Sequence, residues 1–148
     1  MTGVAVYMEG GGQRGEPNTA EAKAAIRQGM GEFFTMLRDR ARRKGWRWKI
    51  VPCGDRTTTK NAFLHARAQE PDMCALLLVD SEWPVTQSPK QHLKDRDGWD
   101  LAAAPDDHVH LMAQVMETWL VADPKALAAF YGQEFNEGSL PSTRISNR

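Results

Sequence analysis

Two short apolar runs, each stopped by acid, constrain this chain more than any other feature. They are Val4-Ala5-Val6-Tyr7-Met8 ahead of Glu9-Gly10, and Ala75-Leu76-Leu77-Leu78-Val79 ahead of Asp80-Ser81-Glu82. Runs of this length, rich in Val and Leu and bounded by glycine or polar residues, read as buried strands of a parallel sheet. Open α/β sheets place their ligands at the carboxyl ends of such strands. The interval between the runs has room for a helix, a strand and a helix, so two segments distant in sequence can bring Glu9, Asp80 and Glu82 to one edge. Carboxylates gathered there suggest a metal site.

The segments between the runs support that layout. Gly10 to Gly15 reads as a tight or mobile loop. A helix is expected next, capped by Asn18 or Thr19, with Ala25, Ile26, Met30, Phe33, Phe34 and Leu37 on its apolar stripe and an end at Lys44-Gly45. Trp46 to Val51 alternates large apolar and basic residues and closes at Pro52, the pattern of an edge or near-edge strand. A second helix is expected from Thr57 to Gln69, with Thr caps, ended by Pro71. Strand, helix, strand, helix, strand argues for an α/β layered domain with right-handed crossovers and a largely parallel central sheet flanked by helices.

Beyond Glu82 the punctuation by Pro84, Pro89, Gly98 and Pro105 reads as a long loop of the kind that carries function. Val109 onward fits a short fourth strand running into a helix, and Asp123-Pro124 starts a further helical turn through Tyr131. The expected division is a domain over residues 1–132 and a polar tail over 133–148.

Composition narrows the function only slightly. The chain has 148 residues and 19 basic against 19 acidic side chains, enough for one core and with no overall charge bias towards nucleic acid. Cys53 and Cys74 form no CxxC pair, no long apolar span is present, and a reducing, cytoplasmic setting without a membrane partner is expected.

Glu9-Gly10 after one strand and Asp80-Ser81-Glu82 after another resemble the two motifs of the Toprim fold, found in topoisomerases, primases and defence-associated nucleases, with Glu82 where that pattern has Asp. The run from His110 to Asp123 resembles a signature of a bacterial Toprim-like family of unassigned activity. The chain looks like a shortened member of it. The resemblance implies a Toprim-like (Rossmann-like) domain and a Mg²⁺- or Mn²⁺-dependent nuclease or phosphodiester-processing activity, in a bacterial defence setting and with a partner ATPase. In it Glu9 would be the catalytic base, Glu9, Asp80 and Glu82 the metal ligands, and Glu117 a second catalytic residue. The alternative is a non-catalytic binding or regulatory subunit that keeps the fold. A hydrolase or phosphotransferase acting on small phosphorylated molecules is a third reading, and a homodimer is compatible with all three.

Charge distribution adds a nucleic-acid hypothesis. Arg43, Lys44 and Arg47 belong to a basic cluster running from Arg38 to Lys49, Arg14 lies in the Gly-rich loop, and Trp46 and Trp48 can stack on unpaired bases. The same cluster is also what a helix C-terminus followed by a half-buried strand contains. Asp106-Asp107-His108-Val109-His110 has metal-ligating residue types without a second ligand cluster and reads as a surface loop. The Gly-rich loop lacks the Gly-Lys-Ser/Thr of a nucleotide-binding loop.

Overall fold

Strand β1 (Gly3–Glu9) lies between β2 (Arg47–Gly54) and β3 (Met73–Asp80), and β4 (Val109–Met112) completes a four-stranded sheet of order β2-β1-β3-β4. Every pairing is parallel. The computed structural model describes residues 2–10, 20–113, 124–132, 136 and 138. The helices are α1 (Ala20–Phe33), α2 (Thr35–Arg43), α3 (Arg56–Gln69), α4 (Pro89–Asp97) and α5 (Pro124–Tyr131), with a 3₁₀ turn at Asp106–His108. This is the expected α/β layering, consistent with Rossmann-like and Toprim-like folds. No described helix is long and apolar enough to cross a membrane.

The central strands are apolar on both faces because both faces are covered. Ala5 and Tyr7 of β1 join Leu77 and Val79 of β3 against Phe63 of α3 and Leu93 of α4. Val6, Met8 and Leu78 turn the other way, with Met30 of α1, Ile50 and Met112. Position 3 must be glycine for a related reason. A Cβ there would meet the Arg47 carbonyl oxygen at 2.7 Å and the Met73 sulfur at 2.9 Å.

The sequence expectations are corrected in three places. The first helix is two, broken at Phe34, whose ring meets Trp48 edge-on at 6.2 Å over the sheet. Gly29 and Gly31 weaken the helix just before that point, and the Gly31 carbonyl accepts instead from Thr35 Oγ1 at 3.3 Å and Arg38 Nη1 at 3.2 Å. Strand β2 runs through Pro52, which an edge strand tolerates because a missing N–H on its open side costs no ladder bond. The long loop after Glu82 contains α4, capped by Ser88, begun by Pro89 and ended at left-handed Gly98.

Cys53 and Cys74 are free thiols on β2 and β3, with β1 between those strands. Burial raises the pKa of both. On the α1/α2 face an apolar groove of about 690 Å³ is lined by Val4, Leu76, Leu78, Trp48, Lys44 and Leu111, among others.

Candidate active site at the carboxyl edge

Met8 of β1 sits opposite Leu78 of β3, so Glu9 and Asp80 finish neighbouring parallel strands at the same end of the sheet. Alternation then separates their side chains. Glu9 follows Ala5 and Tyr7 to the α3 face, whereas Asp80 follows Leu76 and Leu78 to the α1/α2 face. Among the described residues no group of three His, Cys, Asp or Glu side chains is placed to hold a metal ion. Glu117 lies outside the described residues.

What stands at Glu9 is a guanidinium. Asp55 caps α3 by accepting from the Thr58 N–H, and this places Arg56, the first residue of α3, at the strand edge. The Thr58 hydroxyl and N–H together hold the exposed Asp55 carboxyl below its usual range. Arg56 Nη1 donates to Glu9 Oε2 at 3.1 Å and to the Asp80 carbonyl oxygen. Its Nε and Nη2 grip the two oxygens of Asp97 at 3.1 and 2.9 Å. The Trp99 ring lies 5.2 Å from the same guanidinium. Arg96 Nη1 also donates to Asp97, and its Nη2 is 3.6 Å from Glu82 Oε2. Charges therefore alternate along one chain: Glu9, Arg56, Asp97, Arg96, Glu82.

Glu82 is held in an unusual backbone. Its φ of 60° makes it the single non-glycine residue with positive φ among those described. The Trp83 N–H donates to the Ser81 carbonyl oxygen at 2.7 Å around it, a γ-turn of the strained, positive-φ kind. Buried Ser81 anchors the turn: its N–H donates to Met112, its hydroxyl to the Trp83 carbonyl, and its own carbonyl lies 2.9 Å from buried His92 Nε2. The turn ends the strand after Asp80, so strand alternation does not extend from Asp80 to Glu82.

The electrostatics follow from this packing. Burial raises the Glu9 pKa above its ordinary 4.5; the Arg56 charge and hydrogen bond and the Asp80 backbone oppose that, and the Glu82 charge reinforces it. Burial pulls the Arg56 pKa down, but Asp97 and Glu9 outweigh it and the net shift is upward. Glu9 is thus easier to protonate than a free carboxyl, and Arg56 is locked in its charged form.

Mg²⁺ takes oxygen ligands, and one or two carboxylates suffice when waters and phosphate oxygens complete its shell. The three-carboxylate set expected from the sequence is not assembled among the described residues, and Glu9 and Glu82 are each already ion-paired with an arginine. Both belong to the charge chain on one side of the edge, close enough for Glu82 to act on the Glu9 pKa. Asp80 enters that chain through its carbonyl oxygen.

The basic residues named for nucleic acid lie elsewhere. Arg43 and Lys44 end α2, and Arg47 pairs with Gly3 at the start of β1, the far end of the strand from Glu9. The two ends of β1 are six residue steps apart, roughly 20 Å. Arg47 donates to Thr2 Oγ1 at 3.2 Å, Lys44 lies over the Trp46 ring at 4.8 Å, and Arg14 lies outside the described residues. The Asp106 to His110 segment is a 3₁₀ turn leading into β4, with Asp106 ion-paired to Lys90 at 2.9 Å.

Sequence reasoning missed Arg56, Asp97, Arg96 and His92. Arg56 had a signal, since the first turn of a helix after a parallel strand always opens at the carboxyl edge. The others belong to α4, whose Ser-Pro start and Gly stop were present but whose apolar stripe is only His92 and Leu93.

Fold and site together define a parallel α/β layered domain with a charged, partly buried cluster at its carboxyl edge. The chain belongs to the family described as domain of unknown function DUF4276, which matches residues 15–147. The match covers Asp80, Glu82, Arg56 and α4 and begins after Glu9. No curated protein and no solved structure matches the chain.

Proposed function

We propose that this chain is a Toprim-like, divalent-metal-dependent nuclease or phosphodiester-processing domain acting at the carboxyl edge of its sheet. One observation carries the reading: Glu9 and the Asp80-Ser81-Glu82 turn end adjacent parallel strands at the same edge, with Arg56 and Arg96 between them. Glu9 and Glu82 would hold Mg²⁺ or Mn²⁺, with the Asp80 carbonyl oxygen on Arg56 beside them. Such an ion supplies charge stabilisation at a phosphate and a more acidic bound water. Glu9, whose acidity burial weakens, accepts a proton more readily than a free carboxylate does. Arg56 has the planar donor set that matches phosphate oxygens. Glu117 as a second catalytic residue, a partner ATPase and a defence setting rest on the Toprim resemblance alone.

One observation favours the second reading, a binding or regulatory subunit that retains the fold. Arg56 and Arg96 already neutralise Glu9 and Glu82, as they would in a site that has no ion to hold.

The test is incubation of the purified chain with single- and double-stranded DNA and RNA, with Mg²⁺ or Mn²⁺ and with chelator. The nuclease reading expects chelator-sensitive cleavage that Glu9→Gln lowers by about a hundredfold. Absence of such cleavage, or cleavage unchanged by Glu9→Gln and Glu82→Gln, sinks it. Cleavage that requires an added ATPase supports the subunit reading.

A further inference from the structure

We propose that the apolar groove on the α1/α2 face is the docking site for an acidic amphipathic helix of a partner protein, seated across the four strands. The proposal does not depend on the chemistry of the carboxyl edge.

The groove takes apolar residues from every strand: Trp48 of β2, Val4 and Val6 of β1, Leu76 and Leu78 of β3, and Leu111 of β4. Strands of a parallel sheet are apolar on both faces where both faces are covered. Among the described helices, α1 and α2 pack on β2, and beside them the groove of about 690 Å³ remains. Four strands about 4.8 Å apart span about 14 Å, the length of a helix of about ten residues. Trp48 also has a buried Nε1 without a hydrogen-bond partner among the described residues, a donor that calls for an acceptor.

The rim is basic. Arg40, Arg42, Arg43 and Lys44 are exposed at the end of α2, and Arg40 and Lys44 line the groove. Asp39 is taken by Arg38, and among the described residues none of these four cations has a carboxylate partner. Leu37, also on the lining, is 52% exposed. An apolar floor with a cationic rim selects an occupant with an apolar face flanked by acids, the helix-in-groove mode of recognition. Nucleic acid would satisfy the cations but leave the floor unfilled, and a second copy docking through the same face would set like charges together. The chain's own residues 114–123 carry Val115, Met116, Trp119 and Leu120 but only two acids, Glu117 and Asp123, for the four cations.

The probe is a labelled synthetic helix with leucines along one face and glutamates beside them, and its control carries lysine in place of glutamate. By fluorescence anisotropy the full chain should bind the acidic peptide at least about tenfold more tightly than the control, and Arg40→Glu with Lys44→Glu should reverse that preference. Leu37→Asp should weaken the acidic peptide about tenfold. No binding of the acidic peptide, equal binding of both peptides, or a preference unchanged by the charge reversal overturns the proposal. A benzophenone photocrosslinker at position 37 separates the occupants and decides alone if the charge-reversed chain does not fold by circular dichroism. A crosslink to the acidic peptide supports the proposal; a crosslink to residues 114–131 of the same chain, or to a second copy, that excess peptide does not displace overturns it.

Discussion

Arg56 Nη1 stands 3.1 Å from Glu9 Oε2, joining the first turn of α3 to the last residue of β1. The side chains of Arg56 and Glu9 are 13% and 19% exposed, and that of Asp97 13%, so solvent cannot easily replace a lost partner. Arg56→Ala should therefore destabilise the fold by about 3–5 kcal/mol, the range for removing one partner of a buried ion pair. Urea unfolding measures it. Arg56→Gln with Asp97→Asn removes opposite charges together and should recover part of the loss. A loss under about 1 kcal/mol in Arg56→Ala would place the cluster among exposed pairs of little consequence.

The raised pKa of Glu9 gives stability a definite pH dependence. A carboxyl whose folded pKa lies above its unfolded value favours folding when protonated. Its contribution is fully present below the ordinary 4.5 and is lost as pH rises through the raised folded value. Glu9→Gln lacks this titration. Thermal midpoints measured from about pH 4 to about pH 7 should show wild type falling relative to Glu9→Gln as pH rises. Parallel curves, or the opposite slope, would mean that Arg56 rather than burial dominates the site.

Helix α4 owes its position to its ends. Ser88→Ala removes the side-chain acceptor for the Gln91 N–H and should cost about 1 kcal/mol. Gly98→Ala forces a side chain into φ 69° and should cost about 1–2 kcal/mol. Because Asp97 is the last residue of α4, hydrogen exchange should rise at both α4 and the first turn of α3. Exchange confined to α4 would show that the Asp97–Arg56 link does not couple the two helices.

Gly3 tests the parallel packing directly. An added Cβ meets backbone of β2 at 2.7 Å and the sulfur of Met73 at 2.9 Å, and backbone cannot step aside as a side-chain tip can. Gly3→Ala should lower stability by about 1–3 kcal/mol. Gly29→Ala, in a helix with nothing within 4 Å, should raise it by about 0.5–1 kcal/mol.

The sheet was legible because Val4 to Met8 and Ala75 to Val79 are apolar on both faces, a pattern that a buried parallel strand imposes. The edge position of β2 was legible in the Trp and Arg alternation from Trp46 to Trp48. Helix α4 was not, because most of its surface faces water and its start and stop signals flank almost no apolar stripe. The acids at Glu9 and Asp80 were located at the carboxyl edge, but the side on which Glu82 stands depends on where the strand stops. That is decided at Glu82, whose positive φ has no signature in a glutamate. The place of Arg56 at the carboxyl edge was legible in the helix start after β2, but its pairing with Glu9, far away in the chain, leaves no local pattern.

Diffraction from crystals soaked in Mn²⁺ and a short oligonucleotide tests the central claim most directly. An anomalous peak is expected about 2.0–2.1 Å from carboxylate oxygens of Glu9 and Glu82, with Arg56 still on Asp97. A carboxyl edge without a peak, and Arg56 still bound to Glu9 at saturating Mn²⁺, would contradict the claim.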